Sequence, residues 1–271
     1  VSSPESSSIP ALALDKLRMV FHPGTPNERV ALNDLSLDLH AGDFAVVIGS
    51  NGAGKSTMLN AIAGALALDA GRVMLHGQDV TRLPVHRRAV HIGRVFQDPM
   101  LGTAPALTIE ENLALAGRRG LRRGVALALN ADKRKQFADV LAPFGLGLET
   151  RMRTQAGKLS GGQRQVLALL MASLRQPKLL LLDEHTAALD PGTAQLVMQA
   201  TARIVQQDQL TALMVTHNMQ QAIDFGNRLV ALDAGRVRLD IAGPQKQALT
   251  VADLIARFDG ASDRHFLHAG G

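Results

Sequence analysis

The segment of this 271-residue chain best fitted to chemistry is Gly49-Ser50-Asn51-Gly52-Ala53-Gly54-Lys55-Ser56-Thr57. It matches the spacing G-x-x-x-x-G-K-[ST]. Glycines at 52 and 54 let the backbone curl until successive N–H groups face inward, as a cradle for anionic oxygens requires. Lys55 adds a mobile cation suited to β- and γ-phosphates, and the Ser56 hydroxyl can ligate Mg²⁺. A helix starting near Ser56 adds the positive end of its dipole. The alternative is a chance glycine-rich turn, which arises about once in a hundred chains of this length. The apolar run before the motif makes coincidence rarer still, and the segment reads as a phosphate-binding loop.

Asp183 and Glu184 follow directly on the apolar run Leu179–Leu182. Ligands of open parallel sheets gather at the carboxyl ends of strands, so these acids are expected to face the phosphate loop. Asp183 suits the shell of a Mg²⁺ ion, directly or through water. Glu184 is then placed to orient or deprotonate an attacking water. In isolation the pair reads as a cap for the next helix; beside a phosphate loop the catalytic reading prevails. A third candidate is Leu159-Ser160-Gly161-Gly162-Gln163, where Ser160 is a natural N-cap and two glycines allow a phosphate to come close. Alone, it is a flexible helix start open to any role. Gln97, Asp190 and His217 each have a structural explanation when read singly: a satisfied strand end, a cap before Pro191, and a histidine after an apolar strand.

The elements that must position these groups are legible in the hydropathy pattern. Ala11–Phe21 and Leu35–Leu39 alternate as half-buried strands do. Phe44–Ile48 is continuously apolar, as in a strand covered on both faces. Helix is expected from about Ser56 to Leu66, with short strands at Arg72–His76 and Ile92–Phe96. From about Thr108 to Arg175 the pattern is helical. Strand character returns at Leu179–Leu182, Ala212–Val215 and Arg228–Leu232, and one short amphipathic stretch covers Val251–Phe258. A helical block set into a strand–helix alternation predicts an α/β core carrying a helical lobe.

Composition narrows the partners. The hydrophobic share of 46% can fill a real core. The longest near-apolar stretch, Val166–Leu174, is about half the ~20 residues a membrane span needs. Residues 1–10 have no secretory pattern and read as a disordered lead-in. With no cysteine, disulfides and cysteine-bound metals are excluded. The net charge of +5 gathers at Arg118, Arg119, Arg122 and Arg123, then Lys133, Arg134 and Lys135. This cluster reads as a solvated surface, with anionic lipid and nucleic acid as alternatives. Eight Phe with no Tyr or Trp are too few aromatics for a base-stacking platform, so no nucleic-acid partner is expected.

The phosphate loop, Gln97, Leu159–Gln163, Leu179–Glu184, Ala188-Leu-Asp190 and His217 occur in an order that resembles the ATPase cassettes of ABC transporters, from about Ala11 to Asp240. The resemblance implies an α/β P-loop NTPase of ABC type. Its RecA-like core sheet would carry an N-terminal antiparallel β-subdomain and an inserted α-helical subdomain at about 108–175. The ATPase domain would span 11–240, and 241–271 would form a short helix and tail. Gln97 would sense Mg²⁺ and the γ-phosphate at the hinge toward the membrane partner. Ser160 and Gly162 would bind the γ-phosphate of ATP held by a second copy of the chain, with Gly161 and Gln163 in the same segment. Asp190 would communicate across that ATP-sandwich dimer, His217 would contact the γ-phosphate, and Phe21 would stack on adenine. The implied cofactors are ATP and Mg²⁺. The implied partners are transmembrane permease subunits and a separate substrate-binding protein, at the cytoplasmic face of the cell membrane. A non-transport ATPase acting on nucleic acid or ribosomes is the alternative; such relatives generally need a second cassette or coiled-coil arms.

The chain departs from the family pattern in three places. The adenine-stacking position usually holds Tyr. The residue after the catalytic Glu is commonly Pro but is His185, which reads as an exposed, idle histidine rather than a second imidazole near the γ-phosphate. Val166-Leu-Ala-Leu-Leu170 replaces a more polar helix and predicts a buried face. Ile92–Pro99, Gly102–Pro105 and Asp183–Asp190 look like a bacterial importer group often labelled as tryptophan/tyrosine or other amino-acid-type uptake systems.

Overall fold

The computed structural model describes residues 9–121 and 129–257. Most of the expected lead-in, Arg122, Arg123, Phe258 and the tail after it lie outside the described residues. Among the described residues the strands are β1 (Leu12–Phe21), β2 (Arg29–Leu39), β3 (Phe44–Gly49), β4 (Ala70–Leu75), β5 (Gln78–Asp79), β6 (Ile92–Val95), β7 (Leu179–Asp183), β8 (Ala212–Val215), β9 (Arg228–Asp233) and β10 (Arg236–Ala242). The α-helices are α1 (Lys55–Ala63), α2 (Val85–Arg88), α3 (Ile109–Gly117), α4 (Ala131–Leu141), α5 (Gly161–Ser173), α6 (Pro191–Gln207), α7 (Met219–Asp224) and α8 (Pro244–Gln247). Residues 251–257 are also helical. No helix among the described residues is long and apolar enough to cross a membrane.

The described residues fall into two compact units. The first comprises 9–62, 66–82 and 213–257. Its antiparallel sheet runs β2-β1-β4-β5. Leu12 and Leu14 on β1 and Leu35, Leu37 and Leu39 on β2 are buried, as the alternation predicts, and a register shift after Leu14 returns Leu17 to the same face. The register shifts along this pair, and Lys16 and Asp34 adopt φ of 47° and 55° there, as bulge residues do. A second run of strands in this unit is β10-β9-β3-β8. β9 pairs parallel with β3 and antiparallel with β10. Phe44–Ile48 of β3 and all of β8 are buried, which is why their sequences are apolar without alternation. The sequence reading had no element at β10. In that edge strand Val237, Leu239 and Ile241 alternate with Arg236, Arg238 and Asp240, a period-2 signal that was overlooked, although Ile241 alone is buried.

The second unit comprises 63–65, 83–121 and 129–212. β6 and β7 pair parallel, with Ile92 opposite Leu179 and Val95 opposite Leu182. α5 packs against β6, α3 and α6, and Val166–Leu170 are all buried, as expected. The guanidinium of Arg119 donates to the carbonyls of Met171 (2.8 Å) and Ala172 (3.2 Å) near the end of α5. Arg134 pairs with Glu110 at 2.8 Å. The basic cluster is therefore not simply a solvated surface, since these two arginines hold helices α3, α4 and α5 together.

Candidate active site

In the first unit the loop from Gly49 to Thr57 leaves buried β3 and winds directly into α1, whose Met58 N–H donates to Gly54 O at 2.8 Å. Gly54 has φ +100°, and a Cβ there would lie 2.5 Å from Ala31 O, so no larger residue fits without moving the backbone. Ser50, Asn51, Gly52 and Ser56 are exposed, while Ala53, Gly54 and Lys55 are buried. The Lys55 ammonium donates to Gly49 O at 2.7 Å and Ser50 O at 3.1 Å, so its charge lies against the loop it serves. Arg29 Nη2 donates to Gly52 O at 2.9 Å. This second cation on the loop was missed because β2 gives no signal of its distant partner.

His217 is exposed in the link between β8 and α7. The link is set by its neighbours. Thr216 N–H donates to Val47 O of β3 at 3.1 Å, and Asn218 caps α7 by accepting from Gln221 N. Phe21 is half-buried at the end of β1, opposite Arg29.

In the second unit Asp183 closes β7 with its carboxylate in an ion pair. Arg94 Nη2 lies 3.0 Å from Asp183 Oδ2, and the two side chains are 15% and 16% exposed. Arg94 also sits over the Phe96 ring, 4.7 Å from its centroid. Glu184 adopts φ +42°, a left-handed conformation that strains a non-glycine residue. The turn that holds it is closed by Ala187 N–H donating to Glu184 O at 3.0 Å.

His185 corrects an expectation: it is 2% exposed, neither idle nor at the surface. Its Nε2 lies 2.9 Å from Thr201 Oγ1, and that hydroxyl donates to Val197 O at 2.8 Å. Thr201 must therefore accept, and Nε2 carries the proton. Burial pushes the imidazole down to about 4, so it stays neutral near pH 7.

Gln97 is exposed just after β6, whose end is anchored by Gln165 donating to Phe96 O at 3.1 Å. Ser160 and Gln163 form the capping box of α5: Ser160 Oγ accepts from Gln163 N, and Gln163 Oε1 accepts from Ser160 N. Gly161 is exposed, whereas Gly162 is buried, and a Cβ on it would collide with the Thr193 methyl of α6. Asp190 caps α6 by accepting from Thr193 N at 3.0 Å. Its side-chain bond to Thr193, with backbone donors there and nearby, holds its carboxyl below the usual range. The Ser160 cap is the one expected, and Asp190 makes the cap before Pro191 that was its structural alternative. Arg164 was missed; it donates to the carbonyls of Ala156, Gly157 and Leu159 and fixes the approach to Ser160.

The family model described as ABC transporter matches residues 32–187. The chain is 42% identical over 238 residues to a tyrosine transport ATP-binding protein of Clostridioides difficile, covering 88% of this chain and 94% of that protein. It is 34% identical over 230 residues to the spermidine/putrescine import ATP-binding protein PotA of Haemophilus influenzae, covering 84% of this chain but 58% of that protein. Among solved structures, the ATP-binding cassette MJ0796, in a dimeric post-hydrolysis state bound to ADP and Pi, superposes with a TM-score of 0.72 at 29% identity. That match covers 85% of this chain and 98% of the other.

Proposed function

The chain belongs to the ABC transporter family, and on that premise we propose that two copies of it close around two ATP molecules to drive a membrane importer. Members of this family bind and hydrolyse ATP to power transport, and so does this chain. The observation that carries the proposal is the presence of two phosphate-ready helix starts on one chain. One is the glycine loop that opens α1; the other is the capped Ser160-Gly-Gly start of α5. In the proposed dimer the loop of one copy and the Ser160 segment of the other hold the same triphosphate. The dimeric state described for the MJ0796 cassette supports this arrangement.

Within each copy, Gly49–Thr57 would cradle the phosphates, with Lys55 turning from its loop carbonyls onto β- and γ-oxygens, and Phe21 would lie on adenine. Glu184 would orient or deprotonate the attacking water, His217 would hold the γ-phosphate, and Asp190 would touch the other copy. The hydroxyl, amide and carboxylate oxygens of Ser56, Gln97 and Asp183 are the hard donors that Mg²⁺ takes. Asp183 fits this role because Arg94 occupies only Oδ2 of its carboxylate. Held by these residues, Mg²⁺ would supply positive charge that offsets the negative charge of the phosphates. Gln97 and the helices of residues 108–175 would relay closure to permease subunits at the cytoplasmic face of the membrane. A separate substrate-binding protein would deliver cargo. The import role named for PotA supports the direction, and the tyrosine relative supports an amino-acid-type cargo.

Glu184→Gln tests the assignment. ATP should still bind and should now trap a stable dimer in light scattering, while phosphate release falls about 10²–10⁴-fold, the usual worth of a general base. Turnover at the parental rate would overturn it.

A further inference from the structure

The pair formed by Arg94 and Asp183 has no place in the mechanism above. Register explains how it forms. Arg94 stands opposite Leu181 in the parallel pairing of β6 with β7. Side chains two apart on a strand share a face, so Asp183 projects on the same face one step further along. The guanidinium reaches that carboxylate with one nitrogen, Nη2 at 3.0 Å. Among the described residues, no other side chain or carbonyl hydrogen-bonds this guanidinium. Arg94 Nε is buried without a hydrogen-bond partner, and the other fixing contact is the Phe96 ring beneath it. A buried guanidinium nitrogen left unsatisfied is an arrangement that structures rarely keep without use. Here its polar anchor is the carboxylate assigned above to the cation.

We infer that Arg94 is a resident counter-ion of Asp183 that competes with Mg²⁺ and thereby sets how strongly the metal and the nucleotide depend on each other. The inference rests on the reading of Asp183 as a metal ligand. Among the described residues no group of three or more His, Cys, Asp or Glu could hold a metal by itself. Of the three residues assigned above to the cation, Ser56, Gln97 and Asp183, only Asp183 is an acid. A guanidinium on one oxygen of that carboxylate withdraws part of its charge from any ion at the other. A higher metal concentration relieves the competition. Arg94 also has a second effect. It neutralises an acid that would repel a triphosphate arriving without its cation. With Arg94 present, metal-free nucleotide binds better and bound metal adds less. Without it, Asp183 repels bare nucleotide and grips the metal complex more tightly. Both effects move the ratio of the two affinities in one direction, which is the coupling between the ligands.

The experiment measures that ratio by binding alone. A fluorescent ADP is titrated onto the full chain in excess EDTA and again in excess Mg²⁺, and the two Kd values are divided. Arg94→Gln should raise the ratio about tenfold, or about 1.4 kcal/mol of coupling. Arg94→Lys keeps the charge without the planar fork and should stay within about threefold of the parent. Asp183→Asn should bring the ratio close to one. If Asp183→Asn changes the ratio and Arg94→Gln does not, the counter-ion role is overturned while the metal-ligand reading stands. If Asp183→Asn leaves the ratio at the parental value, the metal-ligand reading fails and the inference fails with it. Should Arg94→Gln not fold, a higher affinity for the metal complex in Arg94→Lys, with a ratio raised by up to about threefold, would support the role. An unchanged ratio beside a collapsed melting transition would assign Arg94 to structure and overturn it.

Discussion

The phosphate loop and the acidic end of β7 reach their chemistry by different means. In the loop the working groups belong largely to the backbone. Gly54 permits a conformation and a close approach to Ala31 O that any side chain would forbid, and the Lys55 ammonium lies against the carbonyls of Gly49 and Ser50. At the end of β7 the groups proposed to work are side chains, and their surroundings are set by residues remote in sequence. Asp183 is held by Arg94, 89 positions away, and His185 by Thr201, 16 positions away. A site built from backbone is written in local residue types, because glycine spacing is the geometry itself. A site built from side chains is written locally only in its identities, and its tuning is set by packing. The two regions should therefore break in different ways.

The largest effect is expected where backbone geometry is the function. Gly54→Val places a branched side chain at φ +100° with its Cβ 2.5 Å from Ala31 O. Strain at such a position costs about 1–3 kcal/mol before the clash is counted. Nucleotide affinity should fall at least about a hundredfold in a fluorescent-ATP titration. Near-parental affinity would break the contrast, since the loop would then not depend on its backbone path.

The same distinction explains what could be read in advance. The loop, the buried strands β3, β7 and β8, and the caps at Ser160 and Asp190 all declare themselves within a few residues, and each is found where it was expected. His185 was misjudged because a lone imidazole has no local sign of burial; only the arrival of Thr201 from α6 gives it a partner. Arg94 looked like an unremarkable polar residue on a short strand, and the register of β6 on β7 alone reveals its carboxylate. Strand β10 was legible and overlooked: Val237, Leu239 and Ile241 alternate with Arg236, Arg238 and Asp240 as a half-buried strand requires.

His185 sharpens the contrast at the next level. Its folded pKa, pushed down to about 4 by burial, lies below the ordinary 6.5. Between those values the unfolded chain takes the proton and the folded chain does not. Its share of stability is thus complete above pH 6.5 and is lost as pH falls toward 4. At about 1.4 kcal/mol per unit, the full loss is about 3 kcal/mol. His185→Gln removes this titration while keeping a donor for Thr201. Urea melts of both proteins should converge as pH drops from 7 to 4.5, after other acid effects cancel in the difference. A gap that does not change with pH would place the imidazole in water and return it to the idle role first expected of it.

The smallest effect separates two uses of one side chain. Asp190 holds Thr193 N–H at the start of α6, and the proposed dimer also gives it a contact with the second copy. Asn accepts the capping bond as well as Asp does but carries no charge. Asp190→Ala should lower the melting temperature by about 2–4 °C, the usual consequence of a lost cap in a chain of this size, whereas Asp190→Asn should leave it unchanged. If Asp190→Asn also associates with ATP as the parent does in light scattering, the residue serves only its own helix. If it melts normally but associates poorly, the carboxylate acts beyond the helix it caps. Asp190 would then belong with Asp183, as a side chain whose meaning depends on what the fold brings to it.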